Sequence, residues 1–409
     1  MLVYVAALSV PIGAATGSFT VFEQLTSRQL KPDPLLNPGQ EILMVPHTIY
    51  RHYGIMDLRS EWSPDWRGHL RYRPILDTTP SEYTVTGILD EASVELKMDQ
   101  TFIYVGKKNI KDGVGLSTNP TDFLGENKWV DKTKRQEDRR TQREGDLVVG
   151  VDWFQDSGSY NVIFSPQSDA VRYNRYLMKA NLLIESLKTD VSASYFSGLL
   201  SGLGLNISTT ITDSWVFHVE AAYRDGRSQK TTVRLVKDDV PREYRLELDP
   251  AHVSYADIII GSQLTLSDAS TVMMEYYYHG GGYSESEWAT LTDWMMYSNH
   301  HYKIGLAPDL MRGYLQLANR IIQVGSMRQH YCFFRFYKPN WIENLDVSLV
   351  GLSSLNDGGL LLNPYVTYRV NDTIEVYGSG YWFFGSEGSE FGLTNWNPEI
   401  TVGVKWACF

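Results

Sequence analysis

Apolar and polar residues alternate with period two along most of the chain. In "SWVFHVEAAYR", Trp215, Phe217, Val219, Ala221 and Tyr223 share one face, while His218, Glu220 and Arg224 lie on the other. In "YLMKANLLI", Tyr176, Met178, Ala180, Leu182 and Ile184 oppose Lys179 and Asn181. "EASVELK" sets Ala92, Val94 and Leu96 against Glu91, Ser93, Glu95 and Lys97, and the same beat returns in "TDVSASY" and "LGLNIST". Side chains on a strand point to opposite faces in turn, so each run predicts a strand with two unlike faces. The runs match the roughly 9 to 11 residues of a tilted membrane strand.

Connections alternate in length. Tight turns are expected at 63–66, 97–100, 156–158, 212–214, 267–270, 338–341 and 370–372, with long polar loops near 108–146, 225–254 and 281–325. Short turns on one rim and long loops on the other are the habit of an outer-membrane barrel. The expected fold is all-β: a transmembrane antiparallel up-and-down barrel of 16–18 strands, with 18 preferred because an even count returns both ends to the periplasm. The strands start near 41, 55, 67, 87, 101, 147, 158, 175, 188, 200, 214, 255, 270, 327, 343, 358, 372 and 396. The stretch 301–324 reads as helical as it does stranded. Residues 39–409 form the barrel in this reading. Residues 1–38 are a signal-like apolar segment and a periplasmic linker, although the first basic residue is Arg28 and a basic n-region is missing.

Composition narrows the function. The chain of 409 residues has a net charge of -11, which argues against a nucleic-acid partner. Its mean hydropathy is -0.27, and after the N-terminus no apolar run reaches the roughly 18 residues of a spanning helix. A barrel stays compatible with that value, because lipid-facing and lumen-facing residues average out. Cys332 and Cys408 fall on expected strands four apart, too far to bridge, and neither sits in a haem or zinc motif. No cofactor or metal is expected. Nucleophile-elbow and zincin motifs are missing, so no enzyme is expected, although "NHH" (299–301) and His279 are noted as loop histidines. A soluble sandwich or propeller fits poorly, because the apolar faces carry large aromatics and no repeat of about 40 residues is present.

The stretch "EASVELKMDQTFIYVGKKNIKDGVGLSTNPTDFL" (91–124) resembles the early hairpin of the alginate-export-like, TonB-independent outer-membrane porins. The matching positions are Gly106, Lys107, Lys108, Gly113, Gly115, Asn119, Pro120, Thr121, Asp122 and Leu124, with Asp112 where that family has an aromatic residue. The likeness implies a loop that folds inward and constricts the pore, with Lys107, Gly113, Gly115, Asn119, Pro120 and Asp122 as its candidate residues. Gly113 and Gly115 would permit positive φ, Pro120 would end ladder pairing, and Asn119 and Asp122 would cap exposed amides.

Selectivity is expected from inward polar positions. Arg67, His69, Arg71 and Arg73 form one basic ladder on the third strand, faced by Glu91 and Glu95 on the next and by Asp57 and Glu61 on the one before. Lys179, Glu220, Arg224, Asp257 and Glu275 are further pore-lining candidates. The run 128–144, dense in both signs of charge, reads as a solvated loop or a contact for lipopolysaccharide phosphates. The function expected is passive diffusion of small polar or charged solutes across the bacterial outer membrane. The alternative is a barrel sheath around a partner such as a multihaem cytochrome.

Overall fold

The computed structural model describes residues 15–125, 143–167, 173–227, 230–248, 252–322 and 324–408. The first eleven strands are β1 (Ala15–Leu30), β2 (Thr48–Glu61), β3 (Trp66–Thr78), β4 (Tyr83–Met98), β5 (Thr101–Lys108), β6 (Asp146–Gln155), β7 (Gly158–Ser165), β8 (Arg175–Ile184), β9 (Thr189–Ser197), β10 (Leu200–Thr212) and β11 (Trp215–Arg227). A small hairpin of β12 (Thr231–Lys237) and β13 (Glu243–Leu248) follows. Then come β14 (His252–Thr265), β15 (Thr271–His279), β16 (His330–Ile342), β17 (Leu345–Ser354), β18 (Leu360–Arg369), β19 (Ile374–Phe384) and β20 (Trp396–Ala407).

Among the described residues eighteen of these strands form one sheet, and β12–β13 stand apart from it. Each strand pairs antiparallel with the next, β11 pairs with β14, and β20 returns to β1, with Val21 opposite Trp406. The sheet is therefore closed and has no free edge, which is what a spanning sheet requires. Outward positions are the apolar members of each alternation: Trp215 and Tyr223 on β11, Met178 and Leu182 on β8, and Val402 and Val404 on β20 are all exposed. Tryptophans gather toward the tight-turn rim, at Trp62, Trp66, Trp153, Trp215 and Trp341. Rings of this kind mark a membrane–water boundary.

Seventeen of the expected strand positions coincide with barrel strands; the first does not. Residues 41–47 are loop, and the strand that completes the ring is β1, which lies inside the expected linker 1–38 and pairs with both β2 and β20. The alternation in "SFTVFEQLTSRQL" carries it, with Phe22, Gln24, Thr26 and Arg28 on one side and Phe19, Val21 and Leu25 on the other. The apolar run before residue 15 lies outside the described residues. The expected turn at 338–341 is the end of β16, and the chain reverses at 343–344 instead. Cys332 and Cys408 are free thiols.

The ambiguous stretch 301–324 is helical. Within the 281–325 loop lie α1 (Glu285–Lys303) and α2 (Pro308–Ile321). Ser284 and Glu287 form a reciprocal capping box at the start of α1. Leu291, Trp294, Met295 and Ser298, spaced at helical intervals, are the buried face. They pack against Leu35 and Leu36 of the β1–β2 loop, Tyr244 of the hairpin and Leu393 of the β19–β20 loop, making one cap on the long-loop rim. Glu390 ties that cap together: it accepts from the amides of Gly325 (2.6 Å), Ser326 (2.9 Å) and Met327 (3.0 Å) and from the Tyr331 hydroxyl (2.7 Å). Burial pushes its carboxyl above the usual range, against the pull of these donors.

The rims make opposite predictions for a membrane-impermeant maleimide, in a Cys332→Ser/Cys408→Ser background. Val240→Cys at the hairpin tip is labelled on intact cells, whereas Asp213→Cys in a tight turn is labelled only after the outer membrane is opened. Labelling in the reverse pattern would invert the orientation.

Candidate functional site

Strand β5 ends in a backbone that only glycine tolerates. Gly106 has φ +128, and a Cβ there would meet the Ala92 carbonyl oxygen at 2.2 Å. From Asn109 the chain turns into the barrel and crosses toward β8, β11 and β15. Gly113 sits at φ +94, as expected. Gly115 does not have positive φ; its need is room, since a Cβ would lie 2.1 Å from the Thr118 carbonyl oxygen.

An inward loop of this kind has amide groups with no ladder to join, and each needs an acceptor. Two carboxylates supply them. Glu220 on β11 accepts from the backbone N–H of Val114 (2.7 Å), Gly115 (2.8 Å) and Thr121 (2.7 Å), from the Thr121 hydroxyl (2.9 Å) and from Asn119 Nδ2 (3.3 Å). Glu275 on β15 accepts from the amides of Leu116 (2.5 Å) and Ser117 (2.6 Å), and its Oε1 lies 2.7 Å from His218 Nε2. Glu220 is 0% and Glu275 2% exposed. They were expected as pore-lining charges; they are instead the loop's anchors, covered by the segment they hold.

The other later-strand candidates share that duty. Arg224 pairs with Asp257 and donates to the Pro120 carbonyl at 2.6 Å, and His279 Nδ1 lies 2.7 Å from Asp257. Lys179 on β8 pairs with Asp112 of the loop. Arg224 and Asp257 are buried, so neither is a free lumen charge. Asn119 Nδ2 donates to the Gly115 carbonyl at 2.8 Å, and Asp122 receives Arg143. Lys107 is at the end of β5, paired with Glu144, outside the inward segment. Most of the charged run 128–144 lies outside the described residues.

Small residues make the seat. A Cβ on Gly202 would lie 2.6 Å from Phe123, and one on Gly204 would meet Thr121 and Phe123 at 3.0 and 3.1 Å. Phe123 thereby reaches Phe196 and stacks on it at 5.2 Å. Gly261 does the same for the second anchor, since a Cβ there would lie 2.3 Å from His218 Nε2. On the far side Leu116 joins Ile259, Tyr277, Tyr331 and Phe333 in an apolar cluster.

The basic ladder occupies another wall, β2 to β4. Arg67 pairs with Glu61 at 3.3 Å, His69 lies between Asp57 (3.0 Å) and Glu91 (2.7 Å), Arg71 reaches Asp57 at 3.5 Å, and Arg73 grips Asp90 with two hydrogen bonds of 3.1 and 2.8 Å. Lys108 pairs with Glu95 at 3.1 Å and lies over the Tyr104 ring. The ladder is thus no column of free guanidinium groups; every rung has an acid. The alternation misses Asp90, because the register shifts between Arg71 and Tyr72, and the extra residue of that bulge lets Asp90 meet Arg73 while Glu91 meets His69. The visible signal was the acidic doublet "DE" at 90–91, which breaks the beat.

No family model matches the chain, and no curated protein is similar to it. Solved structures are. Acinetobacter baumannii OccAB1 aligns with a TM-score of 0.59 at 9% identity, covering 97% of each chain. Pseudomonas aeruginosa OccK2 (OpdF) in complex with glucuronate aligns at 0.54 and 8%, covering 97% of this chain and 98% of its own. Pseudomonas aeruginosa OpdK with vanillate aligns at 0.56 and 7%, covering 96% and 98%. At these identities the likeness is one of fold. It supports the outer-membrane porin barrel that the sequence suggests; these neighbours are Occ-type channels, and the finer resemblance to the alginate-export-like family finds no support among them.

Replacing Glu220 by Gln leaves an amide that can accept on only one atom and carries no charge. The loop's local opening should become easier by about 3 kcal/mol, given about 1.5–3 kcal/mol per bond to a charged group, or roughly hundred-fold faster amide exchange at Val114, Gly115 and Thr121. Hydrogen–deuterium exchange checks this, with the amides of β2 and β3 unchanged as the control. Unaltered exchange in the loop would remove Glu220 as its anchor.

Proposed function

We propose that the protein is an outer-membrane channel through which small polar or charged solutes diffuse passively. The observation that carries the reading is the segment 109–125, which enters the lumen and is held against the β8–β16 wall. It narrows the passage toward the opposite side, where the arginine ladder stands. Lipid and lipopolysaccharide are then the barrel's surroundings, and small solutes pass through it.

The paired ladder suits such a task. A solute carboxylate meets guanidinium N–H donors that already share an acid, so it binds by competing for part of their hydrogen bonds and leaves again readily. Conduction needs sites of that strength, favourable enough to enter and weak enough to release. The low-dielectric wall strengthens the local field of the least covered rung, Arg67, whose side chain is 45% exposed. Glucuronate and vanillate, found with two barrels of the same fold, are small carboxylates, which favours a preference of this sign. The sheath alternative has nothing to support it, because the chain's own loop takes up lumen space that a folded haem protein would need.

A planar-bilayer recording with a salt gradient tests the proposal. Stable single-channel steps are expected, with an anion preference in the intact protein. In an Arg67→Gln/Arg71→Gln/Arg73→Gln variant, Glu61 and Asp90 lose their counter-charges and Asp57 loses that of Arg71, so the reversal potential should move toward cations. A folded barrel that passes no current would overturn the channel reading; an unmoved reversal potential would remove the ladder from selectivity.

A further inference from the structure

The outward face of β1 and β2 holds a polar group in the apolar band. Glu23 and His52 stand directly opposite each other in the register, and they are paired. The Tyr50 hydroxyl donates to the same carboxylate oxygen, Oε2, at 2.9 Å, and its ring meets the imidazole edge-on at 4.2 Å. Along β1 the outward neighbours are Phe19, Val21 and Leu25; across β20 they are Val402, Val404 and Trp406. The side chains of Glu23 and His52 remain 41% and 35% exposed. Among the described residues nothing else covers them.

Their bonding is half complete. Glu23 uses Oε2 for both partners, and His52 uses Nδ1, so among the described residues Glu23 Oε1 and His52 Nε2 have no hydrogen-bond partner. In hydrocarbon no water can serve them, and an unsatisfied polar group on a lipid-facing wall is costly. The two open atoms, a carboxylate oxygen and an imidazole nitrogen, lie side by side in the register of β1 and β2.

That arrangement is self-complementary. A two-fold axis along the membrane normal sets β1 of one copy opposite β2 of the other at equal depth. Glu23 of each copy then faces the partner's His52, and both open atoms are answered twice. We propose that the outward face of β20, β1 and β2 is an interface between two copies of this chain, with the Glu23–His52 pairs closing it. The inference concerns the outside of the barrel and does not depend on what passes through it.

Cross-linking in the native membrane tests it, with the full chain carrying Cys332→Ser and Cys408→Ser. Leu25→Cys lies beside the axis, where facing sheets are about 10 Å apart, and a bis-maleimide of that reach should convert most of it to a species of twice the chain's mass. Leu203→Cys, outward on β10, should give at most a tenth as much. Adding Glu23→Leu and His52→Leu should bring the Leu25→Cys product down to the Leu203→Cys level, while heat-modifiable migration reports a folded barrel. Equal products from Leu25→Cys and Leu203→Cys would overturn the interface, a comparison that stands even if the double leucine variant fails to fold. An undiminished cross-link in a folded double leucine variant would remove the polar pair from it.

Discussion

Irregular backbone inside a barrel must have its amides answered by something other than a sheet, and this molecule answers them with buried glutamates. Five backbone N–H groups of the inward loop fall on two carboxylates, Glu220 and Glu275, and neither is reachable by solvent. A buried carboxylate with so many donors is stabilised where an unpaired one would be expelled. The loop and its acids therefore depend on each other. Removing the loop would leave two bare charges on the wall, and removing the acids would leave bare amides. The glycines at 202, 204 and 261 belong to the same arrangement, since each yields the space that the loop or its anchor occupies. Glu390 repeats the device on the rim, where three consecutive amides after α2 converge on it.

The inner wall is thereby divided. From β8 to β16 the charges are spent on holding chain, whereas from β2 to β4 arginines and acids pair among themselves across neighbouring strands. Cross-strand pairs of this type are worth only fractions of a kcal/mol each at half-exposed sites. Arg73 with Asp90 is the exception, buried and bidentate, beside the start of β6, where the Gly145 amide reaches the Asp90 carbonyl. It fixes the upper end of the ladder, while Arg67 at the lower end is the most exposed rung.

Much of this was legible in the alternation. A two-residue period with one apolar face reads the barrel strands from β2 onward, because each outward residue must suit lipid and that demand is local to the strand; the β12–β13 hairpin, outside the barrel sheet, lies in the stretch 225–254 that reads as loop. The opening strand was lost to its own composition: an apolar N-terminus followed by "SFTVFEQLTSRQL" looks like a signal and linker until β20 is there to pair with it. The total of eighteen was right although the first member was misplaced at 41–47. The inward loop was implied by the resemblance of 91–124, and the structure turns this segment toward β8, β11 and β15. What the sequence could not display was which inward charge meets solvent and which meets the loop. Glu91 and Glu220 look alike in their strands, and only the path of a segment a hundred residues away separates them. The bulge at Asp90 shows in the sequence only as a broken beat, the acidic doublet at 90–91.

The central claim is that segment 109–125 sets the width of the passage. Single-channel conductance of a chain in which residues 110–124 are replaced by a short Gly-Ser connection, compared with the intact chain in the same lipid and salt, tests it most directly. The account predicts a stable channel with several-fold greater conductance and entry of solutes that the intact barrel excludes. A folded barrel with unchanged conductance would contradict it and would place the limiting width elsewhere, at the helical cap.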